Sequence, residues 1–339
     1  MSSNFIPPVK APTPSHGQWS RTFSASYTTK DIIQYALALG FGSCKGKEDL
    51  KYTFEENPNF QAVPTFFLIL SNWATIQSDG SFIFLPNFPS ELMTYMGVIP
   101  NENLQGDDID MNMFPVIHIS QSIHWHQSVP LPRKQSKILT SISSRVLSLV
   151  PKSIGTFVET ETRILLRNGE LLCSLSTTTL VLGISPSRVV PYTSEFWNRP
   201  SRITYPSDAP DFTWLFSIAP NQALLYRISS GDTNRIHVDS HQMPDSSIER
   251  SQKPILHGSC TLGIAMRGLL QCVAQDYSIS YLRAEFSRPV YIDDFLRLEV
   301  WNVSSQVSLF RVVKVDTNDV VVDNAIVKTI PAKQSRSKI

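Results

Sequence analysis

Lys253-Pro-Ile-Leu-His257-Gly258-Ser-Cys-Thr-Leu-Gly263-Ile-Ala-Met-Arg-Gly268-Leu-Leu270 reads as a proline-started loop running into a helix. Leu262, Met266, Leu269, Leu270 and Val273 recur at i, i+4, i+7, i+8 and i+11, one apolar stripe of an α-helix. Ser259 or Thr261 offers a capping hydroxyl. Gly263, Ala265 and Gly268 keep this helix thin, so the stretch predicts a sheet wrapped closely round it. Gly258 stands at its start. First-turn amides have no partner inside a helix, and the helix dipole adds to them, so the Gly258 N–H can hold a developing negative charge.

Upstream lies Tyr226-Arg-Ile-Ser-Ser-Gly231-Asp232-Thr-Asn234-Arg-Ile-His237-Val-Asp239, which places a carboxylate, a carboxamide and an imidazole within six residues. Asp and His differ enough in ordinary pKa, about 3.9 against about 6.5, for one to stay anionic while the other exchanges a proton near neutrality. Together they can grip one water. Gly-Asp-Thr-Asn is also good turn chemistry, with Asp232 capping the next element, and on these residues alone the turn is the better-supported reading. The helix starting at Gly258 shifts the balance towards a site. Asp239 reads as a structural residue fixing the turn. His257 reads equally as a pocket residue or a satisfied loop histidine. The set His237, Asp239, His241 and His257 matches no zinc spacing, and no metal is expected. His118, His124 and His126 fall in the first half and are expected as exposed strand histidines, the last two on one face.

The composition narrows the classes. A chain of 339 residues, 42% hydrophobic, can bury a core of two domains or one duplicated one. A formal charge of +1 with 17% charged residues supplies no basic field for nucleic acid or an anionic membrane. Cys44, Cys173, Cys260 and Cys272 show no metal spacing and read as buried thiols. There is no signal peptide and no apolar run near the ~20 residues that span a bilayer, so a soluble chain is expected.

In order, residues 1–24 are Pro- and Ser-rich and predict a loose arm. Ile32, Ile33, Tyr35, Ala36 and Leu39 predict a helix capped at Thr28 or Thr29 and ended by Gly40 or Gly42. Residues 64–74 suit a buried helix or a buried strand. Residues 77–113, with acidic Glu102, Asp107, Asp108 and Asp110, predict a surface loop or insertion. Strands are expected over 116–125, 145–150, 157–166 and 171–182, the last two joined at Asn168-Gly169. Residues 184–211 hold five prolines and read as a linker. A helix start near Asn221, the site, the central helix and strands over 282–290, 296–303, 307–315 and 320–330 then repeat the first half's order. Periodicity alone supports α+β with a weak internal repeat.

Gly231-Asp232-x-Asn234-x-Ile236-His237-x-Asp239 followed by Pro254-Ile-Leu-His257-Gly258 resembles the hydratase 2 signature of the MaoC-like, (R)-specific 2-enoyl-CoA hydratases. The resemblance continues through Arg283-Ala-Glu-Phe-Ser-Arg288-Pro-Val-Tyr291 and, more thinly, through Tyr35-Ala-Leu-Ala-Leu-Gly-Phe-Gly42, Lys51-Tyr-Thr-Phe-Glu55 and Val63-Pro-Thr-Phe66. It covers most of residues 25–330. It implies an α+β double hot-dog: two antiparallel sheets, each wrapped round a long central helix, with 64–74 helical. Residues 25–183 would form a non-catalytic half making room for the acyl chain, and 212–330 the catalytic half. Carried over residue by residue, Asp232 and His237 grip and deprotonate water, Asn234 orients the water or the Asp, and the Gly258 N–H is the oxyanion donor. His257, Lys253, Arg283 and Arg288 are substrate-binding candidates, the cations facing CoA phosphates.

The resemblance further implies an acyl-CoA substrate, no cofactor, a homodimer and a peroxisomal setting. The terminal Ser337-Lys338-Ile339 is a conservative variant of the Ser-Lys-Leu address read by the peroxisomal import receptor. With no Gly-rich phosphate loop after a strand, the hydratase is expected to act without a fused dehydrogenase. The expected reaction is reversible hydration of trans-2-enoyl-CoA to (3R)-3-hydroxyacyl-CoA. The alternatives are a dehydratase for a specialised biosynthetic acyl-CoA and a non-catalytic acyl-CoA-binding protein. Three departures, Arg235, Ser240 and an extra serine at Ser229-Ser230, are expected to loosen the turn, and 243–252 runs a few residues long.

Overall fold

The computed structural model describes residue 19 and residues 22–42, 47–70, 116–198, 200–232, 234–239, 253–272 and 277–331. The expectations for Cys44, 71–113, Ser240, His241, 243–252, Val273 and the tail with Ser337-Lys338-Ile339 lie outside these residues.

The first half runs β1 (Phe23–Tyr27), α1 (Thr29–Ala38), α2 (Leu50–Thr53), a 3₁₀ turn (Pro64–Phe66) continuing into α3 (Phe67–Leu70), then β2 (Val116–Trp125), β3 (Ile138–Lys152), β4 (Gly155–Leu166) and β5 (Leu171–Leu182). A two-residue strand, β6 (Tyr192–Thr193), pairs with β3. The second half runs β7 (Phe212–Ser217), α4 (Gln222–Ser230), α5 (Gly258–Cys272), β8 (Tyr277–Phe286), β9 (Phe295–Ser304), β10 (Val307–Lys314) and β11 (Val320–Pro331). The structure corrects two details of the sequence reading. Phe23 and Ser24 belong to β1, not to the arm, and β3 is longer than expected because its paired length with β4 reaches from Thr140 to Lys152.

The strand order is β1-β3-β4-β5-β2-β8-β11-β10-β9-β7. The first five strands and the last five, read inward, have the same order of appearance, so each half builds the same sheet and the two are related as duplicates. They meet where β2 pairs antiparallel with β8, from Ser120 opposite Glu285 to His124 opposite Tyr281. The two expected sheets are therefore one continuous sheet of eleven strands. Pairing β2 with β8 hides one open edge of each half, and an open edge is a template for aggregation.

Helix α1 starts at Thr28, whose N–H and hydroxyl both meet the Asp31 carboxylate at 2.7 Å. Its Ile32, Tyr35 and Ala36 face inward, fully buried. Helix α5 is buried on nearly all sides rather than along one stripe, with Cys260, Leu262, Ile264, Ala265, Met266 and Leu269 all at 5% exposure or less. The glycines explain how. A Cβ on Gly263 would lie 2.6 Å from the Leu39 side chain, and one on Gly268 would lie 2.6 Å from Leu298 and 2.7 Å from Trp214. The end of α1, through Leu39, and the sheet, through Leu298 and Trp214, reach in where these residues have no side chain.

One core holds residues from both halves, including Tyr35, Phe66, Ile123, Met266 and Phe310. Arg267 of α5 pairs with Asp49 of the first half at 2.6 Å, and Asp49 also accepts the Gly42 N–H. The Pro-rich stretch is fastened to the second half: the Tyr205 hydroxyl donates to the Phe310 carbonyl at 2.9 Å, and the Trp301 indole donates to the Asp208 carbonyl at 2.9 Å.

Valine at Gly268 overpacks the contact with Leu298 and Trp214, so urea unfolding of Gly268→Val should show a loss of about 2–3 kcal/mol. Gln271→Ala, on the exposed end of the same helix, should stay within about 0.5 kcal/mol of the parent.

Candidate active site

Helix α4 ends at Gly231, whose φ of 70° is left-handed and whose N–H reaches the Arg227 carbonyl at 3.0 Å. The chain then turns through three side-chain bonds. Ser230 Oγ accepts the Asp232 N–H at 3.2 Å, Asp232 Oδ1 accepts the Asn234 N–H at 2.9 Å, and Asn234 Oδ1 accepts the Ile236 N–H at 3.3 Å. A single 3₁₀ turn, Arg235–His237, follows. Turn and site are thus the same object, since the bonds that make the turn also aim Asp232 and His237. Ser230 is fully buried, and its hydroxyl joins the turn by accepting the Asp232 N–H.

His237 Nδ1 lies 2.8 Å from the Ile255 carbonyl. A carbonyl only accepts, so Nδ1 carries the hydrogen and Nε2 keeps its lone pair. The loop leading into α5 thereby sets the tautomer of a residue in the turn before it. The ring stacks on His257, with centroids 3.6 Å apart and planes 26° apart. His257 is 2% exposed, packs against Tyr226, and points Nε2 at Asp232 Oδ2 across 3.8 Å. Neither of its ring nitrogens has a hydrogen-bond partner among the described residues. Gly258, the first residue of α5, comes next in the chain, and the Phe286 ring sits 3.0 Å from where its Cβ would be. Asp232, His237, His257 and Gly258 therefore share one place. Asn234 joins through its backbone N–H, which holds Asp232 Oδ1.

Burial pushes His237 below the usual imidazole range, against the pull of the Asp232 carboxylate and the Ile255 carbonyl. Burial pushes His257 lower still, aided by His237 and Arg227. Both rings are neutral at pH 7, so the His257–Asp232 approach is a dipolar contact rather than an ion pair. Asp232, His237 and His257 place their donor atoms within 4.8 Å of one another, close enough by distance for a metal. The two stacked rings, however, hold their lone pairs in nearly parallel planes instead of aiming them at one point, which is poor metal geometry.

His118 corrects the sequence reading. His124 and His126 do share an outer face, their rings 4.4 Å apart. A β-bulge between His118 and Ser120 flips the alternation, so His118 turns to the inner face opposite Thr179 and packs edge-on against Phe286 at 4.7 Å. Burial lowers its pKa to about 4 although Ser120, Gln121 and Asp232 favour the charged form. His118 is the residue beside the site whose placement period-two reading missed, because a bulge leaves no mark in the pattern.

The cations stand differently. Lys253 is exposed and pairs with Asp293 at 3.3 Å, and Arg288 is exposed and pairs with Asp319 at 3.3 Å. Arg283 alternates with core residues Leu282 and Ala284, so it lies on the outer face, where its guanidinium donates to the Ser201 carbonyl and Asn324.

The MaoC like domain family matches residues 203–325, and the MFE-2 hydratase 2 N-terminal domain family matches residues 25–96. The chain is 30% identical over 316 residues to the peroxisomal multifunctional enzyme type 2 of Mus musculus, covering 92% of this chain and 37% of that protein. It is 26% identical over 288 residues to the probable enoyl-CoA hydratase 2 of Dictyostelium discoideum, covering 84% of each. It thus spans well under half the length of the multifunctional relative. The crystal structure of a MaoC-like dehydratase from Phytophthora capsici superposes with a TM-score of 0.69 at 24% identity, covering 92% of this chain and 96% of that one, and shows the hot-dog fold.

Buried neutral histidines tie stability to pH. Unfolded histidine protonates below about 6.5, whereas His118, His237 and His257 resist protonation when folded, so their contribution is full above that pH and is lost as pH falls. Between pH 7 and 5 the unfolding free energy of the parent should fall, and that of His118→Phe should fall about 2 kcal/mol less, by urea titration at both values.

Proposed function

This chain belongs to the MaoC-like hydratase 2 family, and we propose that it catalyses reversible hydration of trans-2-enoyl-CoA to (3R)-3-hydroxyacyl-CoA. The observation carrying this reading is the Asp232–His237 pair held by one turn beside the first-turn amide of α5.

Water lies between the Asp232 carboxylate and His237 Nε2. As its oxygen bonds to C3, its proton passes to this pair, and the alkene electrons move through Cα towards the thioester oxygen. The Gly258 N–H, at the positive end of a helix of 15 residues, stabilises the charge on that oxygen. A proton returned from the same pair to Cα, on the face where water added, completes a syn addition. Asn234 keeps Asp232 aimed. His257, neutral and stacked on His237, holds the ring in place and excludes bulk water. No metal or organic cofactor enters these steps.

The N-terminal half takes the acyl chain, and Lys253 and Arg288, both exposed, are the cations offered to the CoA phosphates. A peroxisomal location, reached through the import receptor, is supported by relatives named peroxisomal in Mus musculus and Arabidopsis thaliana. Helix α4 exposes Leu224, Leu225 and Ile228, an apolar surface that a homodimer contact would cover.

With a medium-chain trans-2-enoyl-CoA, loss of the enoyl absorbance should give the (3R) product. Asp232→Asn and His237→Ala should each lower kcat/KM by about 10²–10⁴-fold with folding intact. A (3S) product, or variants as active as the parent, would contradict the assignment.

A further inference from the structure

His257 is buried to 2% exposure, yet among the described residues neither its Nδ1 nor its Nε2 has a hydrogen-bond partner. Buried polar atoms are nearly always paired, and leaving one unpaired costs stability, so an imidazole kept in such a place serves another purpose. Packing does not require it. A phenyl ring would fill the same space between the Tyr226 ring, 4.9 Å away by centroids, and the His237 ring, 3.6 Å away, without two polar atoms to satisfy.

The backbone fixes where this ring points. The His257 carbonyl accepts the N–H groups of Cys260 at 3.0 Å and Thr261 at 3.1 Å, which anchors it at the start of α5, and the Leu256 N–H before it donates to the Val290 carbonyl at 2.7 Å. Nε2 is held 3.8 Å from Asp232 Oδ2. A carboxylate only accepts, so the nitrogen facing it carries the hydrogen and Nδ1 keeps the lone pair. At 3.8 Å the two groups do not bond directly, but two hydrogen bonds of about 2.8 Å close that gap through one oxygen atom. Asp232, His237 and His257 each place one atom within 4.8 Å of the other two, and three such points lie within about 2.8 Å of a common centre. This seat suits a water better than a metal. A metal takes a lone pair from every group, whereas His257 presents a hydrogen; and hydrogen bonds tolerate angles down to about 120–150°, so rings in nearly parallel planes both reach one oxygen.

We propose that His257 is a further catalytic residue, whose Nε2–H holds the water that adds to C3; this deepens the hydratase reading and rests on it. A water has two hydrogens and two lone pairs. One hydrogen goes to Asp232 Oδ2 and the other to His237 Nε2, and the His257 N–H occupies one lone pair, so a single lone pair remains to attack. As the C3–O bond forms, the proton leaving the water passes to the Asp232–His237 pair, and the His257 hydrogen stays where it is. His257 therefore decides which way the oxygen faces, and that orientation lowers the barrier.

The test sets His257→Phe against His257→Gln in hydration of trans-2-decenoyl-CoA. Phenylalanine keeps the ring stack and removes the N–H; glutamine brings an amide N–H near the place of Nε2 and gives up the ring. His257→Phe should lower kcat by about 10–100-fold with KM within about 2-fold of the wild type, and His257→Gln should keep a kcat about 10-fold above that of His257→Phe. Equal rates or the reverse order overturn the inference, since ring packing alone favours phenylalanine, and leave the hydratase reading standing while the wild type turns over. A wild type inactive on the thioester overturns both. Crystals of the wild type give a check that needs no variant: one ordered water should stand within about 3.2 Å of both Asp232 Oδ2 and His257 Nε2, and electron density without it overturns the inference.

Discussion

Close approach of helix α1 and of the strands to helix α5 is the constraint on which the rest depends. At Gly263 and Gly268 a Cβ would collide with Leu39 on one side and with Leu298 and Trp214 on the other. Because Leu39 belongs to the first half and the other two to the second, one helix is clamped by both. The same approach brings Phe286 against Gly258 and so sets where the helix begins. A bulky residue at any of these points would push the element packed there outward and carry the site with it. Helix propensity is sacrificed at each glycine, about 1 kcal/mol apiece, and close packing offsets it.

Burial, more than charge, governs the site. Desolvation outweighs the pull of Asp232 towards the protonated form at His118 and His237, and at His257 the neighbouring His237 and Arg227 add to it. Neutral rings beside an anionic carboxylate are what base catalysis near neutrality requires. The Ile255 carbonyl then selects which nitrogen of His237 is free. These effects come from different segments: a turn after α4, the loop before α5, and a strand of the other half.

Duplication explains that last contribution. Each half builds the same strand order, and the two join through β2 and β8. The second half keeps the acid–base pair. The first half keeps the matching sheet, whose edge strand lies beside the site, and a single bulge in β2 turns His118 into it.

Much of this was legible in the residues. The thin helix, its glycines, the capped start of α1, the span of β2 and β5, and the presence of Asp232, Asn234 and His237 in one turn follow from local rules, because capping, alternation and turn chemistry act over a few residues, whereas joining Gly258 to that turn is what the resemblance implied. Other features depended on partners far along the chain. The merging of two sheets into one depends on which edges meet; the burial of α5 on all sides, beyond its stripe, depends on Leu39 and Leu298; and the inward turn of His118 depends on a bulge whose partner is 60 residues away. The tautomer of His237 depends on a carbonyl 18 residues on. Local sequence determined which groups are present and how each short segment bends, whereas only the tertiary structure decided which of them share a low-dielectric space, since desolvation and packing are properties of everything within a few ångströms rather than of neighbours in the chain.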